Sequence, residues 1–152
     1  MPAKILIVDD DPDFVTLLGR RLKTNGYEAR IAYDSIQAIK QAREQQPNLI
    51  ILDINLPGGS GFEIYERLRD SIDLALVPVI FVSGFGKEGI LRQAKIKEKA
   101  LKAGDCFFAK PIDVAKLLDK IKELLEPPGQ IRKEPKESTE EREMLRWITQ
   151  SK

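Results

Sequence analysis

The sequence of 152 residues contains no histidine and only one cysteine. Without histidine, the chain cannot form a Ser-His-Asp triad, a histidine-based zinc site or a phosphohistidine of its own. Cys106 has no second cysteine with which to form an internal disulfide, and we interpret it as a small buried core residue. Any phosphohistidine chemistry must therefore use a histidine that a partner protein supplies.

Long apolar runs and an excess of charge of either sign are also missing. No run approaches the roughly 20 residues that cross a bilayer, and the N-terminus lacks the pattern of a signal peptide. Lysine and arginine number 25 against 24 aspartate and glutamate residues, which gives a net charge of +1. Nucleic-acid-binding domains usually have an overall excess of basic residues, which this chain lacks, although the balance is compatible with a local basic patch. We therefore expect a cytoplasmic protein without membrane association or direct nucleic-acid binding.

The chain does contain a regular alternation of strand-like and helix-like segments. The predicted strands are residues 5–8, 29–32, 49–52, 79–82 and 106–109. The predicted helices are residues 13–25, 35–46, 61–70, 88–103 and 113–125. The first of these helices has an apolar stripe, which consists of Phe14, Leu17, Leu18 and Leu22. Strict alternation predicts a doubly wound α/β domain, with a five-stranded parallel sheet and helices on both faces.

The composition changes at Pro127 to a run that is rich in proline, lysine and glutamate. We expect one domain over residues 1–126 and a linker or tail over residues 127–152. Within the tail, Ser138 and Glu141 have the spacing of a capping box. A short helix is therefore one alternative for this region, and a frayed or loosely packed segment is the other.

Polar side chains follow four of the predicted strands at the point where each strand ends. Asp9 and Asp10 follow the first strand, Asp53 the third, Ser83 the fourth and Lys110 the fifth. In a sheet of order 2-1-3-4-5 the first and third strands are neighbours at the topological switch point, where ligands of open α/β sheets bind. The sequence therefore predicts that the three carboxylates lie close together.

Clustered carboxylates repel one another unless a cation or a retained proton is present. Oxygen ligands without histidine or cysteine favour a hard ion, and Mg²⁺ suits a site with few protein ligands. Lys110 supplies a fixed positive charge and Ser83 a hydroxyl donor, and both groups are useful where a phosphoryl group is transferred. With a carboxylate available as nucleophile, the pattern indicates formation of an aspartyl phosphate. The structural alternative is that individual aspartates form turns or helix caps, as we expect for Asp11 or Asp13.

Four motifs over roughly residues 3–125 resemble the receiver domains of bacterial two-component response regulators. They are Ile5-Leu6-Ile7-Val8-Asp9-Asp10, Leu52-Asp53-Ile54-Asn55-Leu56-Pro57, Val82-Ser83-Gly84 and Phe107-Phe108-Ala109-Lys110-Pro111. The resemblance implies a chemotaxis-regulator-like fold and Mg²⁺ as cofactor. It also implies a sensor histidine kinase or phosphotransfer protein as partner, with slow autodephosphorylation resetting the switch.

The resemblance also implies roles for single residues. Asp53 would be the phosphoacceptor, and Asp10, Asp53 and the backbone carbonyl of Asn55 would bind Mg²⁺ directly. Asp9 would act through a metal-bound water. Lys110 would pair with the phosphoryl group, and its peptide bond to Pro111 would be cis. Ser83 and Phe107 would form the switch pair, in which the hydroxyl moves toward the phosphate and the ring turns inward.

One departure from the family concerns the 26 residues between Ser83 and Lys110, several more than is usual. This part of the chain includes the fourth predicted helix, and we call residues 87–102 the basic segment. Its cations are Lys87, Arg92, Lys95, Lys97, Lys99 and Lys102, against Glu88 and Glu98. We consider both a solvated helix face and an output surface, which would bind an acidic partner or pair two receivers as a homodimer.

Two other functions are compatible with parts of the pattern. Asp9 and Asp11 have the spacing of the nucleophile and acid in haloacid-dehalogenase-type phosphatases, although that mechanism would leave Asp53 without a central role. The second of these functions is that of a degenerate receiver, which acts as a constitutive binding module. Gly84, Gly86 and Gly89 also match a dinucleotide-binding pattern, which we reject because Lys110 stands where the ribose-binding acid is expected.

Overall fold

The protein, seen here as a computed structural model, is described over residues 2–56, 59–83 and 105–125. The strands are β1 (Lys4–Val8), β2 (Glu28–Ala32), β3 (Leu49–Asp53), β4 (Asn55–Leu56), β5 (Gly59–Ser60), β6 (Val79–Ser83) and β7 (Cys106–Ala109). The helices are α1 (Pro12–Thr24), α2 (Ser35–Gln45), α3 (Gly61–Asp70) and α4 (Val114–Leu125). The predicted helix at residues 88–103, the basic segment and the tail lie outside the described residues.

Five parallel strands form the central sheet in the order β2-β1-β3-β6-β7. Counted without the short strands β4 and β5, this is the predicted order 2-1-3-4-5. β4 and β5 pair with each other in a separate antiparallel ladder, in which Asn55 faces Ser60. Gly59–Ser60 pairs with the residues directly after β3, so this short ladder lies beside the end of that strand.

Helices cover both faces of the sheet, which explains why β1 and β3 consist almost entirely of apolar residues. α2 and α3 pack on one face, where the core includes Leu6, Ile50, Leu52, Tyr65 and Phe81. α1 and α4 pack on the other face, where the core includes Ile5, Ile7, Ile51, Leu117 and Ile121. Successive strand residues alternate between these two cores, as the pleat of a strand requires.

The buried stripe of α1 differs from the predicted stripe. Val15, Leu18 and Leu22 are buried, and Phe14 is half-buried, whereas Leu17 is 61% exposed. Successive helical residues are rotated by about 100°, so Leu17 lies outside the sector that contains Leu18 and Leu22. Cys106 is likewise half-buried rather than fully buried. Burial nevertheless raises the pKa of its thiol.

A buried polar cluster fixes the start of β7 at the edge of the sheet opposite the predicted site. The carboxylate of Asp105, 4% exposed, accepts hydrogen bonds from the Tyr65 hydroxyl, Arg69 Nη2 and the backbone N–H of Val79. We call Tyr65, Arg69 and Asp105 the Asp105 cluster. Burial and the hydrogen bond to Asp105 raise the pKa of Tyr65, so the phenol stays protonated and donates.

Arg69 extends this cluster into the connection between α3 and β6. Its Nη1 donates to the carbonyl oxygens of Leu74, Ala75 and Val77, at 3.4, 3.0 and 2.8 Å. The Arg69 guanidinium therefore contacts both the connection between α3 and β6 and Asp105, the residue directly before β7. Among the described residues, no helix is long and apolar enough to cross a membrane.

Candidate functional site

The carboxyl ends of β1 and β3 bring three aspartates together. Val8 lies opposite Leu52 in the parallel ladder, so Asp9 and Asp53 follow at the same edge of the sheet. Asp9, Asp10 and Asp53 each offer one carboxylate oxygen, and these three oxygens lie within 4.8 Å of one another. The predicted acidic cluster is therefore present, and it occupies the switch point between the neighbouring strands β1 and β3.

The three carboxylates differ in their exposure to solvent. Asp9 and Asp53 are 1% and 6% exposed, whereas Asp10 is open to solvent. Burial raises the pKa of Asp53 from 3.8 to about 6; the charges of Asp9 and Asp10 also raise it, and the Asn55 N–H and Lys110 lower it. A nearby cation would relieve the repulsion that these charges create. The cluster thus fits a hard divalent cation in its oxygen donors and in its charge.

Both oxygens of Asp9 already have partners. Its Oδ1 accepts a hydrogen bond of 2.9 Å from the backbone N–H of Asp11, and its Oδ2 lies 2.7 Å from Lys110 Nζ. The ammonium group also lies 4.4 Å from the centre of the Phe14 ring. Lys110 is thus held between a buried carboxylate and an aromatic face. This places a fixed positive charge beside the acidic cluster, as the sequence predicts.

The backbone around Asp53 is fixed from two directions. Asp53 Oδ1 accepts a hydrogen bond of 3.1 Å from Asn55 N–H, and the carbonyl of Ile54 accepts one of 2.8 Å from Gly61 N–H. A Cβ added at Gly61 would lie 2.2 Å from the Asp53 carbonyl oxygen. A side chain at this position would therefore displace the backbone of β3, so only glycine lets α3 begin this close to Asp53.

Asp11 serves as the N-cap of α1. Its side chain accepts hydrogen bonds from the backbone N–H groups of Asp13 and Phe14, which satisfies two donors of the first helical turn. The sequence left Asp11 and Asp13 as alternatives for this cap, and the structure identifies Asp11. Its carboxylate is exposed and belongs to the helix rather than to the acidic cluster.

The two predicted switch residues lie on the neighbouring strands β6 and β7. Ser83 ends β6 and pairs with Ala109, directly before Lys110. Phe107 is half-buried against the core beneath α2 and α3, and its ring stacks on Phe81 with centroids 4.9 Å apart. The peptide bond between Lys110 and Pro111 is cis, as the resemblance implies.

Sequence reasoning did not identify Phe14 or Gly61 as neighbours of the site. A signal for Phe14 existed in the pleat of β7, because Cys106 and Phe108 face the core beneath α1 and α4. Lys110 follows Phe108 by two residues, and Phe14 lies in the first turn of α1 on that side of the sheet. Gly61 gave no comparable signal, since glycine before a helix is also common in ordinary turns.

A doubly wound sheet that carries an acidic cluster and a lysine at its switch point is the architecture of a receiver domain. The sequence model of the response regulator receiver domain matches residues 5–122. The chain belongs to this family, and it is a receiver domain of the two-component response regulator type.

Individual relatives agree with this assignment. The chain is 33% identical over 127 residues to the polar-differentiation response regulator DivK of Brucella anthropi, and the match covers 82% of this chain and 98% of DivK. A CheY-like receiver domain protein from Methanospirillum hungatei superposes with a TM-score of 0.71 at 30% identity, over 81% of this chain and 93% of that one. The receiver domain of a Pseudomonas aeruginosa sensor histidine kinase, solved with magnesium coordinated in its active site cleft, superposes with a TM-score of 0.70 at 27% identity. The match covers 82% of this chain and 98% of that one.

Proposed function

We propose that Asp53 accepts a phosphoryl group from a phosphohistidine of a partner, either a sensor histidine kinase or a phosphotransfer protein. The observation that carries this proposal is the position of the buried Asp53 carboxylate within an acidic cluster that Lys110 flanks. The chain contains no histidine, so the phosphodonor belongs to a second protein or is a small molecule. We also propose that this signalling protein acts in the cytoplasm.

The proposed transfer has a simple balance. A carboxylate oxygen of Asp53 attacks the phosphorus, the P–N bond of the phosphohistidine breaks, and the imidazole leaves with the bonding electrons. The product is an aspartyl phosphate on this chain and a free histidine on the partner. Attack by water on the phosphorus later releases inorganic phosphate and restores the Asp53 carboxylate, which resets the switch.

Asp10, Asp53 and the Asn55 carbonyl are the ligands we propose for Mg²⁺. Asp10 is exposed and therefore accessible, whereas both oxygens of Asp9 already accept from Asp11 N–H and Lys110. This difference favours a role for Asp9 through a metal-bound water. Bound Mg²⁺ would offset the charge of the carboxylates and of the phosphoryl oxygens. Lys110 would contribute a second positive charge to the same oxygens.

Ser83 and Phe107 are the residues we propose for the response to phosphorylation. Ser83 is the last residue of β6, the strand that pairs with β3. At this position its hydroxyl would donate a hydrogen bond to a phosphoryl oxygen on Asp53. Phe107 lies two residues from Ala109, the partner of Ser83 in the ladder, and it stacks on Phe81. Movement at Ser83 would therefore reach Phe107 through the ladder between β6 and β7.

The first prediction tests the phosphoacceptor. We expect intact-mass spectrometry to show one phosphoryl adduct after treatment with acetyl phosphate and Mg²⁺, with no adduct in Asp53→Asn. The matched control is Asp11→Asn, which should keep the adduct because Asp11 caps α1 outside the acidic cluster. Labelling of Asp9 would instead support the phosphatase alternative, and an adduct that forms equally well with chelator would contradict the role of Mg²⁺.

We propose that the receiver domain ends near residue 126. We further propose that the basic segment forms its output surface. Contacts through Lys95 and Lys99 with an acidic partner, or between two receivers, should weaken with salt because exposed charges are screened beyond about 10 Å at 0.1 M. The output would thus change when phosphorylation alters the neighbouring strand end at Ser83.

The second prediction concerns this output surface. Lys95→Glu with Lys99→Glu should leave phosphorylation intact and reduce phosphorylation-dependent partner capture or self-association, measured with and without acetyl phosphate. The control carries the same charge change at Lys23 and Lys116, which are exposed on α1 and α4. Unchanged binding in the Lys95/Lys99 variant would mean that the basic segment is only a solvated surface.

A further inference from the structure

The ammonium group of Lys110 has two neighbours of different chemistry. Asp9 Oδ2 lies 2.7 Å from Nζ and supplies a charged hydrogen-bond acceptor. The ring of Phe14 lies with its centroid 4.4 Å from Nζ, within the range of a cation–π contact. The lysine side chain is 24% exposed, and the Asp9 carboxylate is buried. Both contacts are therefore shielded from water on at least one side.

Phe14 itself is fixed in the first turn of α1. Its backbone N–H donates to the Asp11 side chain at 3.3 Å, and its ring packs against the core beneath α1 and α4. A ring anchored in this way offers a stationary face to a flexible side chain. Asp11, although it lies outside the acidic cluster, thereby helps to set the position of that face.

We propose that Phe14 is a positioning residue for Lys110, holding the ammonium beside the acidic cluster before the phosphoryl group arrives. This inference rests on the proposed function of Asp53. Lysine has four rotatable bonds, and fixing such a long side chain in one rotamer costs conformational entropy. A lysine that is already held by Phe14 and Asp9 avoids most of that cost during the transfer.

To hold Lys110 in this way, position 14 requires an aromatic ring and not merely an apolar side chain. Leucine or methionine at position 14 would fill much of the same space, but neither has the negative face that attracts a cation. Asp9 alone would then hold Lys110, and the side chain would sample other rotamers. Tyrosine would retain the ring face and should restore the wild-type arrangement.

The direct test is NMR of the lysine side chains in metal-free, unphosphorylated protein. The ε-methylene protons of Lys110, assigned with Lys110→Arg, should be shifted upfield by the ring current of Phe14. We expect this shift to disappear in Phe14→Leu and Phe14→Met and to persist in Phe14→Tyr. Leu17→Ala, which removes an exposed apolar side chain from the same helix, is the matched control and should leave the shift unchanged.

Phosphorylation kinetics give the functional readout. In Phe14→Leu and Phe14→Met we expect the rate of phosphorylation by acetyl phosphate at saturating Mg²⁺ to fall about three- to tenfold, the range of a cation–π contact. Mg²⁺ affinity should be unchanged, and Phe14→Tyr should recover the rate. In a Lys110→Met background, Phe14→Leu should cause no further loss, because Phe14 acts through the lysine.

The two readouts separate this inference from the proposed function. A wild-type protein that is not phosphorylated at all, yet shows the Lys110 ring-current shift, would contradict the role of Asp53 and leave the contact intact. A normal rate in folded Phe14→Leu and Phe14→Met, or an additive loss in the Lys110→Met background, would overturn the positioning role. Circular dichroism of each variant establishes that it is folded.

Discussion

Replacing Asp105 with alanine is expected to lower the free energy of unfolding by about 3–5 kcal/mol. The Asp105 carboxylate accepts from the Tyr65 hydroxyl, from Arg69 and from Val79 N–H within the protein interior. Its removal leaves a largely buried guanidinium without a counter-charge, and it leaves two donors without an acceptor. Losing one member of a buried ion pair costs more than losing the whole pair, because the remaining charge stays desolvated.

Urea denaturation followed by far-ultraviolet circular dichroism measures this change. The matched control is Asp73→Ala, which removes an exposed carboxylate from the connection that Arg69 holds and should change the free energy of unfolding by less than about 0.5 kcal/mol. The double variant Asp105→Leu with Arg69→Met should recover part of the loss, since no buried charge then remains unpaired. A loss below about 1 kcal/mol for Asp105→Ala would contradict this role of the cluster. So would a double variant whose loss equals the sum of the losses measured for Asp105→Leu and Arg69→Met alone.

Replacing Asp53 with asparagine is expected to stabilise the metal-free protein at neutral pH by about 1–3 kcal/mol. Burial, together with the charges of Asp9 and Asp10, raises the pKa of Asp53 to about 6. A displacement of about two pKa units corresponds to at most about 3 kcal/mol of penalty on the charged form. Asparagine removes this penalty, and its side-chain oxygen can still accept the hydrogen bond from Asn55 N–H.

The sign of the pH dependence follows from proton binding. Between pH 3.8 and about 6 the folded protein holds a proton on Asp53 that the unfolded chain has lost. The Asp53 contribution to stability therefore falls as pH rises through this window, and the penalty is complete above about pH 6. The gain from Asp53→Asn should accordingly be largest near pH 7.5 and should vanish below about pH 4.

Urea denaturation at several pH values, with chelator present, tests this dependence. Asp73→Asn makes the same change of charge at an exposed position and should show no comparable gain at pH 7.5. Adding Mg²⁺ should stabilise the wild-type protein by mass action and should stabilise Asp53→Asn less. An equal gain at pH 4 and pH 7.5 would show that the asparagine acts through packing rather than through the lost charge.

The sequence predicted the central strands because a strand that is buried on both faces consists of a continuous run of apolar residues. The predicted bounds of β1, β3 and β6 each differ from the observed bounds by one residue. The difference at β3 is instructive, since Asp53 is polar and still pairs with Val82 as the last residue of the strand. The end of a strand is set by its last backbone pairing with a neighbouring strand. The sequence pattern, in contrast, ends the predicted strand at the last apolar residue before the first carboxylate.

The acidic cluster was predictable for the same reason, because topology alone brings the ends of β1 and β3 together. Side-chain contacts between residues that are far apart in the sequence could not be predicted in this way. Asp105 meets Tyr65 and Arg69 from 40 and 36 residues away. An acid directly before an apolar strand was the available signal, but nothing in the sequence showed which cation would meet it.

The Asp105 cluster also bears on the unusual length of the chain between Ser83 and Lys110. One end of this connection is held where β6 pairs with β3, and the other is held where Asp105 bonds Val79 and Arg69. Because both anchors lie within the sheet and in the Asp105 cluster, neither depends on the length of the connection. Insertions or deletions between them would therefore leave the register of Ser83 with Ala109 unchanged.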